Sequence, residues 1–447
     1  MSVKVAMISL GCPKNQVEAE RMLAMLADDG CELVGDPAQA QVAVVNTCGF
    51  IDAAKQEAVD CILEMAALKQ QGLAGIVVTG CLAQRYREEI RKLMPEVDVV
   101  LGGGSVGDIV EAVHEAARGR GFERYADIEA VDLGGDRLLT TPFYTAYLKL
   151  GDGCDNFCTY CAIPLIRGRL RSRPLEELVE EAQALAGSGV RELVLVAQDT
   201  TRYGEDLYGE NRLCDLLRAL EDVKGIAWIR ILYAYPDRVG DELLDLMAQS
   251  DKILPYIDLP LQHANDAILS AMNRKGSRAD IEAVLANIRE KLPDACVRTT
   301  FICGFPGETQ QQFEELCDFV AAQRFDRMGC FAFSAEEGTP AADFPNQISQ
   351  EEKERRTDLL MTLQNTISTE LNLQWVGKTL PVLVEEYDDE TGRYAGRSYR
   401  DAPEVDGRVY FTSETACEVG AFARVLITAA DDYDLYGKVQ EETPSDL

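Results

Sequence analysis

The sequence predicts an α/β protein in three parts: an N-terminal parallel sheet with helices on its faces, a central open barrel of six strand–helix units, and a small five-stranded β-barrel of OB type. Two observations carry the first two parts. Short apolar runs alternate with helix-period stretches as far as residue 333, and no hairpin-length turns join them, which is the pattern of parallel strands linked by crossover helices. The third part rests on a change of texture after Val376 to short strands and turns. A chain of 447 residues accommodates two to four domains. The expected boundaries are 1–117, a Gly-, Arg- and Asp-rich linker over 118–140, 141–374 and 376–441.

In the first part, the apolar run Val3–Leu10 leads into Gly11-Cys12 and a helical stretch over Gln16–Ala27. Val42–Val45 leads into Asn46-Thr47-Cys48-Gly49 and the helix Ala53–Gln70, and Ile76–Val78 into Thr79-Gly80-Cys81 and the helix Leu82–Leu93. Cys12, Cys48 and Cys81 therefore share one address, just beyond a strand where the chain turns into a helix. In open parallel sheets that carboxyl edge is where ligands bind. Cysteines also end strands as small buried hydrophobes, but three in successive equivalent turns point to a common three-thiolate site. Cys31 and Cys61 lack the address and read as structural. The fourth unit, Val97–Leu101 and Asp108–Ala117, encloses Gly102-Gly103-Gly104-Ser105-Val106-Gly107, which matches G-x-G-x-x-G. It closes the series instead of opening it, so a plain tight turn is expected over a dinucleotide site.

The second series starts at Phe143–Leu150 and continues with strands at Glu192–Ala197, Ala227–Tyr233, Leu254–Leu259, Val297–Cys303 and Arg327–Phe333. Helical patterns at Leu175–Ala186, Leu213–Leu220, Asp241–Ala248, Ile281–Lys291 and Thr309–Ala322 separate them. Six units are two short of a complete TIM barrel, so an open form follows, with its chemistry at the carboxyl ends of the strands. The first of these ends holds Cys154, Cys158 and Cys161, spaced C-x3-C-x2-C in one loop. A cubane iron–sulfur cluster takes four thiolates, and this loop supplies three, leaving one iron open. Zinc closes its structural sites with four ligands, and the next cysteine is the distant Cys214. A zinc knuckle or unconnected thiols are the competing readings.

The other strand ends carry Gln198-Asp199-Thr200-Thr201, Tyr235-Pro236, Gln262-His263, Gly304-Phe305-Pro306-Gly307-Glu308 and Ser334. Arg298 and Thr300, two apart on one strand, share a face. Gln198, Asp199, Gln262, His263, Arg298, Gly304, Gly307 and Glu308 are the candidate cofactor contacts. Gly304 and Gly307 let a backbone approach a ligand closely, although Gly-Phe-Pro-Gly is also ordinary turn chemistry. His263 fits acid–base catalysis or a hydrogen-bonded structural role. Arg167, Arg169, Arg171 and Arg173 read either as a solvated face or as contacts to an anionic substrate group. Cys214, Cys296, Cys303, Cys317, Cys330 and Cys417 show no ligand spacing.

The charged helix Gln350–Gln374 leaves the barrel, and strands at Leu380–Glu386, Arg393–Ser398, Gly407–Phe411, Ala421–Thr428 and Leu435–Val439 follow. From Val376 to Leu447 there are 16 acidic and 7 basic residues, and the whole chain carries a net charge of −32. That balance argues against binding phosphate backbones and for a basic protein partner. No segment approaches a continuous apolar span, and Met1–Ile8 runs straight into strand-like sequence without a signal-peptide layout. A cytoplasmic location is expected, where the fourteen cysteines serve as metal ligands or buried thiols in preference to disulfides.

The C-x3-C-x2-C loop, with Tyr160 before its last cysteine, resembles the signature of the radical S-adenosylmethionine superfamily. Nearly the whole chain resembles that superfamily's methylthiotransferases, which combine an N-terminal three-cysteine domain, a radical barrel and a C-terminal TRAM domain. Gly11-Cys12-Pro13-Lys14-Asn15, Asn46-Thr47-Cys48-Gly49-Phe50-Ile51 and Ala402-Pro403-Glu404-Val405-Asp406-Gly407 resemble the branch that modifies an aspartate of small-subunit ribosomal protein twelve. Gln16, where that branch often carries Leu, is a small departure. The resemblance implies two 4Fe–4S clusters, one on Cys12, Cys48 and Cys81 and one on Cys154, Cys158 and Cys161. It implies S-adenosylmethionine both as methyl donor and as radical source, with an auxiliary cluster that carries the sulfur. No protein residue beyond the cluster ligands is assigned a catalytic role. An unactivated C–H bond has no usable acidity, which is why a general base alone does not suffice. The implied partners are the ribosomal protein, free or in its subunit, an electron donor and a sulfur source, with no membrane and with tRNA disfavoured. The rival functions are a tRNA adenosine methylthiotransferase, a two-cluster electron-transfer protein and a non-enzymatic ribosome-binding module.

Overall fold

The computed structural model describes residues 2–440. Met1 and residue 441, the last of the expected C-terminal barrel span, lie outside the described residues. The chain up to Ala184, with Leu195–Leu216 and Ser334–Asp343, forms one compact unit, and Leu185–Val194, Leu217–Phe333 and the chain from Phe344 form the second.

In the first unit, strands β1 (Lys4–Ser9), β2 (Glu32–Leu33), β3 (Val42–Thr47), β4 (Gly75–Gly80), β5 (Val99–Leu101) and β6 (Phe122–Arg124) make a parallel sheet in the order β2-β1-β3-β4-β5-β6. Helices α1 (Pro13–Asp28), α2 (Asp52–Leu68), α3 (Cys81–Tyr86), α4 (Glu88–Leu93) and α5 (Ile109–Ala117) cover it. Every residue of β3 and β4 is buried, as a parallel sheet covered on both faces requires. Alternate residues divide between the faces. Ala43 and Val45 pack with Ala58, Ile62 and Met65 of α2, while Val42 and Val44 pack with Ala19, Met22 and Leu26 of α1 and Val113 of α5. The stretch expected as linker supplies β6, a three-residue edge strand paired to β5. The glycine run after β5 is a 3-10 turn over Gly103–Asp108. A Cβ on Gly104 would lie 2.1 Å from the Ala126 carbonyl oxygen, so close backbone packing accounts for that glycine.

The first unit also holds β7 (Thr145–Lys149) and a two-stranded ribbon of β8 (Gly151–Asp152) with β9 (Arg171–Ser172). Helix α6 (Ile163–Arg167) lies between the ribbon strands in sequence. Beside β7 runs the end of β10 (Glu192–Val196), whose Val196 carbonyl accepts from Leu150 N–H at 2.9 Å. The second unit holds an open sheet in the order β10, β11 (Trp228–Ile231), β12 (Ile253–Gln262), β13 (Cys296–Cys303), β14 (Arg327–Ala332). The strands from β11 onward are parallel. After the helix Gln350–Leu373 come β15 (Thr379–Asp388), β16 (Arg393–Ser398), β17 (Val409–Thr412), β18 (Phe422–Ala430) and β19 (Leu435–Val439), a closed barrel in the order β15-β16-β17-β19-β18. Leu380, Val382, Val384, Val409, Phe411, Val425 and Ile427 fill its interior. No helix among the described residues is long and apolar enough to cross a membrane.

Candidate functional site

Strands β1, β3 and β4 end side by side, and the residues that follow them bring Cys12, Cys48 and Cys81 together. Each approach needs a glycine. A Cβ on Gly11 (φ +93°) would lie 2.7 Å from Cys48 Cβ and 3.0 Å from its Sγ. One on Gly49 would lie 2.8 Å from the Leu82 backbone, and one on Gly80 (φ +91°) 2.5 Å from Asn46 Oδ1 and the Thr47 carbonyl oxygen. Gly80→Ala is therefore expected to destabilise the first unit by more than about 2 kcal/mol, since a left-handed non-glycine residue alone costs about 1–2 kcal/mol. The check is a lowered thermal midpoint together with reduced iron retention after reconstitution.

Asn15 ties the three turns to one another. Its Nδ2 donates to the Leu10 and Thr47 carbonyls, both at 3.0 Å, and its Oδ1 lies 3.5 Å from Cys81 Sγ. Asn46 Nδ2 returns a bond to the Asn15 carbonyl at 2.8 Å. The charges around the thiols differ. Burial pushes the Cys12 thiol up, but Lys14, Arg167 and the Asn15 and Lys14 N–H groups outweigh it and leave the group below its ordinary value. Cys12 is also the N-cap of α1, where a helix favours a thiolate. Burial raises Cys48, and it carries Cys81 up to about 12 despite the nearby Arg167 charge. Cys12 raises Cys48 electrostatically, and Cys12 and Cys48 both raise Cys81.

The second triad belongs to the same unit. Cys154, Cys158 and Cys161 sit in a loop folded back on itself: Cys154 N–H donates to the Gly168 carbonyl at 3.2 Å and Cys161 N–H to the Cys158 carbonyl at 3.0 Å. Gly153 (φ +71°) is packed so tightly that a Cβ would lie 1.9 Å from the Arg169 carbonyl oxygen. Asn156 Nδ2 donates to Asp199 Oδ2 at 2.7 Å, and Asp199 also accepts from Thr201. Gln198 Nε2 donates to Asp152 Oδ1 at 2.9 Å, and its buried Oε1 has no hydrogen-bond partner among the described residues. Phe157, left-handed (φ +49°) and exposed, carries the Arg169 guanidinium over its ring at 5.1 Å. Burial pushes the Cys154 thiol up to about 11.

Beside Cys81 lies a buried charge cluster that no sequence pattern marks. Lys149 Nζ binds Glu18 at 2.6 Å and Asp152 at 2.8 Å. Arg167, the last residue of α6, donates to both carboxylates and to Asn15 Oδ1, and its Nη2 lies 3.2 Å from Cys81 Sγ. Burial opposes the Asp152 and Glu18 charges, but these two cations hold both carboxylates below their ordinary range. The run of four arginines thus separates by role. Arg167 and Arg173 are buried in ion pairs, Arg173 with Glu181 at 2.6 Å, whereas Arg169 is exposed. Ser334–Asp343 touches both cysteine loops. Glu336 binds Arg85 at 2.7 Å and Lys55 at 3.0 Å, Arg85 donates to the Gly49 carbonyl at 2.9 Å, and Ala341 N–H donates to the Thr159 carbonyl at 2.9 Å.

The remaining candidates lie in the second unit. Glu308 accepts from the Gly304 and Phe305 N–H groups at 2.6 and 3.1 Å and pairs with Arg356 at 3.0 Å. Gly304 (φ +77°) is required because a Cβ there would meet the Lys353 stem at 2.4 Å; Gly307 (φ +82°) has open space. Arg298 is paired with Asp258 at 2.9 Å and Asp406 at 3.5 Å. Gln262 takes a left-handed conformation (φ +72°) at the end of β12. His263 Nδ1 accepts from Asn265 N–H at 3.0 Å, which leaves the Nε2–H buried and without a hydrogen-bond partner among the described residues, 4.0 Å from Glu308. Burial, with the Arg356 charge, drives the His263 pKa down to about 3, so the ring is neutral near pH 7.

Family models and full-length relatives match the chain. The model for uncharacterized protein family UPF0004 matches residues 4–102, the radical SAM superfamily model residues 148–320 and the TRAM domain model residues 376–439. The chain is 47% identical over 443 residues to the ribosomal protein uS12 methylthiotransferase RimO of Desulforamulus reducens, covering 98% of this chain and 99% of that one. It is 48% identical over 444 residues to the RimO of Clostridioides difficile, with 98% and 99% covered. A solved radical S-adenosylmethionine methyltransferase, TsrM from Kitasatospora setae with cobalamin and a 4Fe–4S cluster bound, shares the fold at 15% identity, with a TM-score of 0.57 over 76% of this chain and 74% of that one. At close to half identity over nearly its full length, the chain belongs to the RimO family of radical S-adenosylmethionine methylthiotransferases.

Proposed function

We infer that the protein attaches a methylthio group to the β-carbon of an aspartate in ribosomal protein uS12. The observation that carries this reading is the presence of two separate three-cysteine sites in one compact unit, in a chain whose full-length relatives are uS12 methylthiotransferases. Cys12, Cys48 and Cys81 would hold one 4Fe–4S cluster and Cys154, Cys158 and Cys161 the other. The donor sets fit: each triad supplies three thiols, one fewer than a cubane's irons, and Gly11, Gly49 and Gly80 let the turns that carry the first triad pack closely. When bound, the clusters and S-adenosylmethionine supply the radical and the sulfur chemistry.

The chain itself positions and shields. Asn15 fixes the spacing of the first triad, and Asp199 with Asn156 fixes the loop of the second. Gln198 and Asp199, and in the second unit Gln262, His263, Arg298, Gly304, Gly307 and Glu308, are our proposed cofactor contacts. The charges of Arg298 and Glu308 are already met by protein partners, so backbone or apolar contact suits their positions better than ion pairing. The acidic C-terminal barrel supports a basic protein partner. Asp401 and Asp406 are buried, but so are Arg397 and Arg400, which leaves the acidic excess on the surface. We propose functional boundaries of 1–117, 141–374 and 376–441, a cytoplasmic location, and an electron donor and a sulfur source as further partners.

The experiment is anaerobic reconstitution with iron and sulfide, followed by mass spectrometry of uS12 incubated with S-adenosylmethionine and a reductant. A methylthio mass increment on one aspartate is expected, and Cys158→Ala should abolish both the increment and S-adenosylmethionine cleavage. Modification of tRNA with none of uS12 would refute the reading.

A further inference from the structure

We propose that Arg167 sets the reduction potential of the cluster on Cys12, Cys48 and Cys81, acting through the Cys81 thiolate as a positioning residue. The proposal rests on the cluster reading above. Arg167 lies six residues after Cys161 in sequence, yet its contacts are with the other triad. Nη1 donates to Glu18 and to Asp152, the latter at 3.0 Å, while Nη2 donates to Asn15 Oδ1 and lies 3.2 Å from Cys81 Sγ. The guanidinium is buried, and a planar fork with four acceptors has one orientation. Ala162, which caps α6, and Ile166 within it pack on Cys81, so α6 forms a wall of that site.

Charge balance makes the contact consequential. Lys149 and Arg167 face Glu18 and Asp152, two cations against two carboxylates, before any thiolate is counted. The edge of the fork that the carboxylates leave is the edge directed at Cys81. Reduction adds one negative charge to a cluster. A fixed cation and an N–H···S bond at a ligating sulfur stabilise that added charge and raise the potential. A lysine keeps the charge but offers one nitrogen in place of two, and pairing that nitrogen with Glu18 and Asp152 leaves no second one for Asn15 Oδ1 and Cys81 Sγ.

The test uses the full chain with Cys154, Cys158 and Cys161 replaced by Ala, so that one cluster is read alone. Iron per chain and the midpoint of a dithionite titration followed by electron paramagnetic resonance are measured for this parent and for added Arg167→Lys, Glu18→Gln or Arg169→Lys. Arg167→Lys should keep its iron and shift the one-electron equilibrium at least tenfold toward the oxidised form, about 59 mV lower. Glu18→Gln, which removes a carboxylate from the fork, should move the potential up, and the exposed Arg169→Lys should leave it unchanged. A fully loaded Arg167→Lys at the parent potential overturns the proposal. If that variant sheds iron, an unmoved Glu18→Gln potential overturns it instead. A parent that binds no iron overturns the cluster reading itself, and this proposal with it.

Discussion

Cys81→Ala is expected to leave the protein with half its iron, full S-adenosylmethionine cleavage by the reduced enzyme, and no detectable methylthio transfer. Cys81 is buried, and its Sγ lies beside Arg167 and Asn15 while Ala162 and Ile166 pack against it. Alanine fits the same wall without a clash, so folding should survive. On the proposed ligation, what is lost is one of three donors in a site that has none to spare. Removing even an outer hydrogen-bond partner of a ligand typically costs about 10–100-fold in metal affinity, and removing the ligand should exceed that. The second triad shares no cysteine with this site and its loop is held by its own bonds, from Asn156 to Asp199 and from Cys154 to Gly168. Iron per chain, 5′-deoxyadenosine release and the mass of uS12 separate the outcomes. Retained methylthio transfer in Cys81→Ala would remove the basis for two clusters with divided roles.

The six cysteines were legible because their signal is local. C-x3-C-x2-C is visible within one loop, and the other three repeat one address after successive strands. The three sheets were legible from the apolar runs for the same reason. β6 was not, because three residues at a sheet edge within a Gly- and Arg-rich stretch give no periodicity to read. The charge cluster of Glu18, Lys149, Asp152 and Arg167 was hidden for a different reason. Its members come from one helix, one strand, one ribbon and the end of another helix, and each looks like an ordinary surface charge in its own segment. Only the fold shows that Arg167 is buried while Arg169, two residues away, is exposed. The parallel pairing of β17 with β19, which closes the last barrel, is likewise a property of topology and not of any turn. Gly304 has a packing reason that the sequence does not show, since a Cβ there would meet the Lys353 stem.

Glu192→Gln is expected to destabilise the second unit by about 3–5 kcal/mol, the usual cost of removing one partner from a buried ion pair. Glu192 is fully buried on β10, with Arg230 Nε at 2.9 Å and Arg397 Nη2 at 2.6 Å. Arg230 is itself fully buried over the Tyr256 ring, and Arg397 also binds Glu385 at 2.7 Å. Burial opposes the Glu192 charge, but Arg397 and Arg230 more than offset it and hold the carboxyl at about 2. Because the folded value lies below the ordinary one, this carboxylate's stabilisation is present above about pH 4.5 and is lost as pH falls toward 2, a swing of about 3 kcal/mol. The variant's stability should therefore be lower near neutral pH and flatter across that window. The two tryptophans of the chain, Trp228 and Trp375, both lie in the second unit, Trp228 against Phe422 at 4.7 Å, so their fluorescence during urea unfolding reports this unit. Replacing Arg230 by Met in the Glu192→Gln background should recover part of the loss, since it removes a buried charge that the first substitution deprives of its carboxylate partner. Equal pH dependence in the parent and the variant, or no recovery in the double variant, would show that the pair is not what holds this unit's charge in place.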